Sequence, residues 1–157
     1  MLEPVKRQMA KTKKVVAVAS AGGHWHQLCL ICQGFDNHEL CFVSTLEGLD
    51  AGQERVLVVT DCHRKQPLRM VQAGFQLTRI LRQEKPNVVI STGALPGLLA
   101  VFIGRMRGCT TIWVDSVANA ETPSFSGKVA KRFVSLWLSQ WPHVAEAAGE
   151  RYEGSVL

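Results

Sequence analysis

Short apolar runs alternate with longer stretches of helical period along this chain. Residues 15–19, 40–44, 55–60, 88–91, 110–114 and 136–139 are runs of four to six residues, several rich in valine and isoleucine and bounded by turn residues. They predict buried parallel strands. Helical periods fill the gaps. Residues 24–35 carry Leu28, Ile31 and Cys32 on one side, and residues 67–84 carry Leu68, Val71, Phe75, Thr78 and Leu81, the apolar stripe of an amphipathic helix. Shorter helices are predicted at 97–106, at 126–134 with Ser124 or Ser126 as its cap, and at 142–148 with Pro142 in the first turn. Residues 47–53 and 119–125 read as loops, and there is no internal repeat.

Strict strand–helix alternation predicts an α/β fold, a doubly wound, Rossmann-like parallel sheet with right-handed crossovers. Six strands complete the doubly wound order. A ligand then binds at the carboxyl ends of the strands, where the first and fourth strands part. Two glycine turns fall at that place: Ser20-Ala21-Gly22-Gly23-His24 after the first strand, and the turn opened by Thr92 and Gly93 after the fourth.

The first turn predicts an anion site. Glycine lets backbone approach a ligand closely, and the free N–H groups of the helix start favour negative charge. Its spacing is not the dinucleotide fingerprint, and Trp25 and His26 put bulk where a nicotinamide or flavin pyrophosphate needs clearance. His24 sits at the mouth of the crevice, suited to act as general base or to bind phosphate. Asp115, Asn119 and Glu121 follow the fifth strand and are expected to face the same crevice, with Asp115 as a loop cap the alternative. No metal site is expected: His24 and His26 lack the i, i+4 spacing of helical zinc ligands. Gly127-Lys128 is not a P-loop, because Val129 follows it.

Composition narrows the class. The chain has 157 residues, 46% of them apolar, enough for one packed domain. Its net charge of +5 is concentrated at the start: Lys6, Arg7, Lys11, Lys13 and Lys14 stand against Glu3. Residues 1–14 therefore read as a basic arm and 15–157 as the folded domain. Such an arm suits an anionic membrane surface. Nucleic acid is not expected, since the arm has no stacking aromatics and the body no basic stripe. Five cysteines, an odd number, lie in or beside apolar runs with no secretory signal before them, which predicts reduced, packed thiols in a cytoplasmic protein. Cys29 and Cys32 lie too deep in their helix for a redox pair, and Cys62-His63 is not read as a nucleophile–base pair. The longest apolar run, 94–103, is half what a bilayer span needs.

The two glycine turns, with Gln27-Leu28, Pro96-Gly97, Trp113-Val114-Asp115-Ser116, residues 124–128 and 135–138, Gln140-Trp141-Pro142, Tyr152 and residues 154–157, resemble a family. It is the bacterial capsule and exopolysaccharide glycosyltransferase subunits related to the membrane-anchor subunit of the dolichyl-diphosphate GlcNAc transferase. The resemblance implies the amino-terminal half of a GT-B enzyme. That half binds a polyprenyl-diphosphate-linked acceptor, while a separate polypeptide supplies the carboxyl-terminal half and the nucleotide sugar, so no cofactor is expected on this chain. It further implies His24 as the catalytic base. Gly22, Gly23 and Gly93 become the diphosphate cradle, with Ser20, Thr92, Asp115, Asn119 and Glu121 as further binding residues. The eukaryotic anchor opens with a transmembrane helix and this chain with a basic arm. Peripheral attachment to the cytoplasmic face of the inner membrane is therefore assigned to the arm and to exposed apolar residues of 94–103. Two other readings stay open: a non-catalytic scaffold that recruits and activates a catalytic subunit, and a nucleotide- or flavin-binding module.

Overall fold

The computed structural model describes residues 11–156, so most of the basic arm lies outside the described residues. Six strands form one fully parallel sheet in the order β3-β2-β1-β4-β5-β6. They are β1 (Lys14–Val18), β2 (Glu39–Ser44), β3 (Arg55–Val58), β4 (Val88–Ser91), β5 (Thr110–Val114) and β6 (Leu136–Leu138). The helices are α1 (Gly23–Cys32), α2 (Pro67–Glu84), α3 (Ala94–Met106), α4 (Phe125–Ala130) and α5 (Pro142–Ala147). This is the doubly wound Rossmann-like fold expected from the alternation.

Strand side chains alternate between two cores. Val15, Ala17 and Ala19 pack with Trp25, Leu28 and Phe42 beneath α1. Val16 and Val18 join Val43, Leu77, Leu81, Val101, Trp113 and Trp137 on the other side. Burial on both faces explains why β1 reads as an unbroken apolar run. The thiols pack as expected: all five cysteines are free, four are buried, and burial pushes the Cys32 thiol up to about 12.

Besides α4, which spans Phe125–Ala130 where the sequence predicts a helix over 126–134, three expectations need correction. The first helix is shorter than 24–35: α1 ends at Cys32 and a 3-10 turn covers Gln33–Phe35. The α3 helix starts at Ala94, three residues before Gly97, because Pro96 is tolerated in a first turn where its missing N–H would have no partner. Most of the apolar run 94–103 is consequently core, with Leu98, Ala100, Val101 and Ile103 buried and Phe102 exposed.

The third correction concerns α2. Its buried face is Ala73, Leu77, Ile80, Leu81 and Glu84. Of the predicted stripe only Leu81 is buried, whereas Leu68, Val71 and Phe75 are 85%, 56% and 74% exposed. The helix carries two apolar stripes on nearly opposite sides at 3.6 residues per turn. The one with the smaller Ala73 and three branched residues, Leu77, Ile80 and Leu81, meets the sheet and α3. Lys85, left-handed at φ 47°, donates its N–H to the Leu81 carbonyl, and Pro86 prevents further helix.

Glu84 ends α2 beneath the sheet edge. Its carboxylate meets Lys14 of β1 at 2.8 Å and Arg55 of β3, and Lys14 also meets Glu39 of β2 at 2.8 Å. Three neighbouring strands and α2 are thus tied by one nearly buried charge. The Lys14 hydrogen bond, chiefly, holds the Glu84 carboxyl below the usual glutamate range, against its burial. A carboxylate whose folded pKa lies below its unfolded one stabilises above the unfolded value and loses that contribution as pH falls through the folded value. Glu84→Gln should therefore cost about 2 kcal/mol at neutral pH in urea unfolding, and the difference from wild type should shrink as the pH is taken below 4.

Candidate functional site

At the carboxyl ends of β1 and β4 the two glycine turns touch. These strands pair directly, from Val15 opposite Val88 to Val18 opposite Ser91, so their following turns emerge side by side. Gly22, at φ 86°, caps α1 with no side-chain cap, and Gly22 and Gly23 are exposed. The first N–H groups of α1 are left for solvent or a ligand. Ser20 is half-buried behind them.

His24 bridges the turns. Its Nδ1 lies 3.0 Å from the Thr92 carbonyl, and the Thr92 hydroxyl donates to the His24 carbonyl at 2.7 Å. A carbonyl only accepts, so Nδ1 carries the proton and Nε2 is the basic atom of the neutral ring. The Thr92 residue is fully buried; it positions His24 rather than meeting a ligand. Gly93 makes the contact possible. A Cβ there would stand 2.4 Å from His24 Cε1, and its φ of 143° with ψ −172° is a region only glycine occupies readily. The next residue, Ala94, has φ 63°, an uncommon left-handed conformation for a residue with a side chain.

In front of this junction is a cavity of about 420 Å³. Ala94 and Leu95 form its wall beside His24, the β5–α4 loop contributes Ser116, Ala118 and Asn119, and the start of α4 contributes Ser124, Phe125 and Ser126. The β3–α2 loop closes it with Cys62, His63 and Arg64. Of the three polar residues expected after β5, Asn119 alone lines this cavity. Asp115 is 1% exposed beneath it, accepting from the Trp113 indole at 3.2 Å, the Ser124 N–H at 2.8 Å and the Ser124 hydroxyl at 2.6 Å. It holds the loop in the manner of the capping alternative. The Ser124 hydroxyl in turn accepts from the Gly127 N–H at 2.8 Å and caps α4. Glu121 is exposed and lines a different cavity, with Lys128 and Lys131.

Gln27 fastens the same loop to α1: its amide donates to the Ser116 hydroxyl and accepts from the Val117 N–H, both at 3.2 Å. The Trp141 indole donates to the Val117 carbonyl at 2.8 Å. The β3–α2 contribution was not anticipated from sequence. Cys62 is buried, and burial pushes its thiol pKa up, as suits packing. The Arg64 guanidinium sits 4.4 Å above the Phe125 ring. Among the described residues no three His, Cys, Asp or Glu side chains gather as a metal site.

Solved structures share this fold. The chain superposes on the MurG protein of Acinetobacter baumannii with a TM-score of 0.73 at 15% identity, over 84% of this chain and 43% of that one. UDP-N-acetylglucosamine 2-epimerase from Rickettsia bellii matches with a TM-score of 0.70 at 17% identity, over 92% and 45%. A glycosyltransferase from Rickettsia africae gives 0.65 at 12%, over 94% and 41%. The fold is the Rossmann-like unit of GT-B enzymes. This chain spans less than half the length of each of these proteins. No family model matches it, and no curated protein matches it in sequence.

The His24–Gly93 contact sets a direct test. Gly93→Ala should displace the imidazole and destabilise the chain by on the order of 2 kcal/mol. Thermal unfolding reads the second effect, and a shift of the His24 imidazole resonances in the folded protein reads the first.

Proposed function

We propose that this chain is the acceptor-side half of a glycosyltransferase, working with a separate polypeptide that holds the nucleotide sugar. It binds a polyprenyl-diphosphate-linked sugar in the crevice and presents the acceptor hydroxyl. What supports this reading above all is His24, fixed between the glycine turns with a basic Nε2 at the edge of a cavity that no carboxylate lines. The shared fold adds to it, since proteins of similar architecture include a glycosyltransferase and epimerases of a nucleotide sugar.

In the proposed reaction the acceptor hydroxyl gives its proton to His24 Nε2 as its oxygen attacks the anomeric carbon of the donor sugar, and the nucleoside diphosphate departs from that carbon on the partner's side. The N–H groups at the start of α1, after Gly22 and Gly23, hold the acceptor's diphosphate. Thr92 and Gly93 keep the imidazole in place, and Asn119 contacts the acceptor sugar from the opposite loop.

The acceptor is anchored in lipid, so the half that binds it works at a membrane surface. Among the described residues no helix is long and apolar enough to cross a bilayer. The outward stripe of α2 supplies a peripheral contact: Leu68, Val71 and Phe75 are exposed, Arg69, Arg79 and Arg82 are exposed beside them, and the helix's acidic residue, Glu84, is buried. Apolar side chains flanked by cations suit the boundary of an anionic leaflet, where each cation is worth about 1 kcal/mol.

Two measurements test this function. With the partner and lipid-linked acceptor supplied, His24→Ala should lower the transfer rate by roughly 10²–10⁴-fold, the usual worth of a positioned base. Wild-type transfer by that variant would make the chain an activating scaffold instead. Replacing Leu68 and Phe75 together by serine should abolish sedimentation with vesicles containing anionic lipid and leave the unfolding midpoint unchanged. Undiminished sedimentation would remove α2 from the membrane contact.

A further inference from the structure

Resting on the proposed acceptor site, the geometry points to Arg64 as the residue that grips the acceptor's diphosphate, held ready by Phe125. Arg64 is the one arginine or lysine among the cavity-lining residues, and no Asp or Glu joins it there. Among the described residues no carboxylate forms an ion pair with it. The lining of the crevice therefore carries one full positive charge and no carboxylate, a surface that favours an anionic ligand.

The guanidinium is also oriented. It lies 4.4 Å over the face of Phe125, a residue 58% exposed, where ring and cation attract. Among the described residues no hydrogen bond or ion pair engages the guanidinium, so its five N–H donors are left for bidentate bonds to phosphate oxygens. The two partners come from different loops, β3–α2 and the start of α4, and each backbone is tied down. The Gln66 N–H bonds to the His63 carbonyl at 2.9 Å, and Ser124 is bonded to Asp115 immediately before Phe125. A long side chain held in this way loses less freedom on binding than a solvated one.

The roles divide accordingly. The α1 start provides N–H groups, Arg64 provides the full charge and the fork, and His24 stays free for the hydroxyl. Arg64 is a binding residue here, and Phe125 a positioning residue that acts through it.

The test measures binding of inorganic pyrophosphate, farnesyl diphosphate and UDP to the whole chain by calorimetry. Arg64→Ala should weaken pyrophosphate and farnesyl diphosphate at least tenfold. Arg64→Lys should recover part of the loss, and Phe125→Ala should cost a few-fold. None of these should move the unfolding midpoint, because both side chains are exposed. In the assay with partner, Arg64→Ala should raise KM for the lipid-linked acceptor with kcat nearly unchanged. Equal affinity of wild type and Arg64→Ala for both diphosphates overturns the assignment to Arg64 and leaves the proposed function standing. Wild-type binding of UDP with none of farnesyl diphosphate overturns the acceptor site on which the assignment rests.

Discussion

The imidazole of His24 fills the space where any side chain at position 93 would stand. Much of the molecule's working end is arranged around that contact. Direct pairing of β1 with β4 brings the two turns together, and the absent Cβ lets them close. Reciprocal bonds to Thr92 then lock the pair. The start of α3 follows from it: Gly93 and Ala94 both take positive φ so that the chain can turn past the ring and enter the helix at once. The helix then presses onto β4 through two more missing side chains. A Cβ at Gly97 would meet Ser91 Oγ at 1.9 Å, and one at Gly104 would meet Val89 Cγ2 at 2.8 Å. Moving β4 away from α3 would thus open the same turns that hold the histidine.

Strands were legible because burial on both faces leaves an unmistakable mark: all of Val15, Val16, Ala17 and Val18 are fully buried. The switch point was legible for a similar reason, since strand order and glycine position together name it. The burial face of α2 was not. Leu68, Val71 and Phe75 are larger than Ala73 and as regularly spaced, so periodicity alone favours the wrong side. What decides is the close approach of α2 to α3 and the sheet, which a small residue permits. Asp115 shows the same limit for chemistry. A carboxylate at the end of a parallel strand reads as a ligand contact, but here the turn to α4 brings the Ser124 N–H and hydroxyl onto it. Arg64 and Phe125 are 61 positions apart and carry no local motif; only the crossing of two loops makes them a pair.

Charge is sorted by the fold in a way the net value hides. Two carboxylates near α2 and the crevice are engaged inside: Glu84 between Lys14 and Arg55, Asp115 under its loop. Cations stay outside on α2 and at the crevice. Each buried acid is tolerated because it is paired or fully hydrogen-bonded. The outer face of α2 and the lining of the crevice thus share exposed arginines and hold no carboxylate of their own.

That sharing has a geometric basis. Arg64, at the crevice, precedes Leu68, on the outward stripe of α2, by four residues. Four residues of even fully extended chain reach at most about 14 Å, so the crevice-lining arginine lies within that distance of the start of the stripe. On the proposed function, a chain that rests its α2 stripe on the membrane would therefore keep the crevice near the leaflet surface, where the diphosphate of a membrane-anchored acceptor lies. The acceptor would not need to be drawn out of the bilayer to reach His24; its hydrocarbon tail can stay in place while the charged head enters the cavity. The β3–α2 loop then serves two interfaces at once. Its Cys62, His63 and Arg64 line the crevice, and its last residues launch the helix that, on this proposal, would meet the lipid.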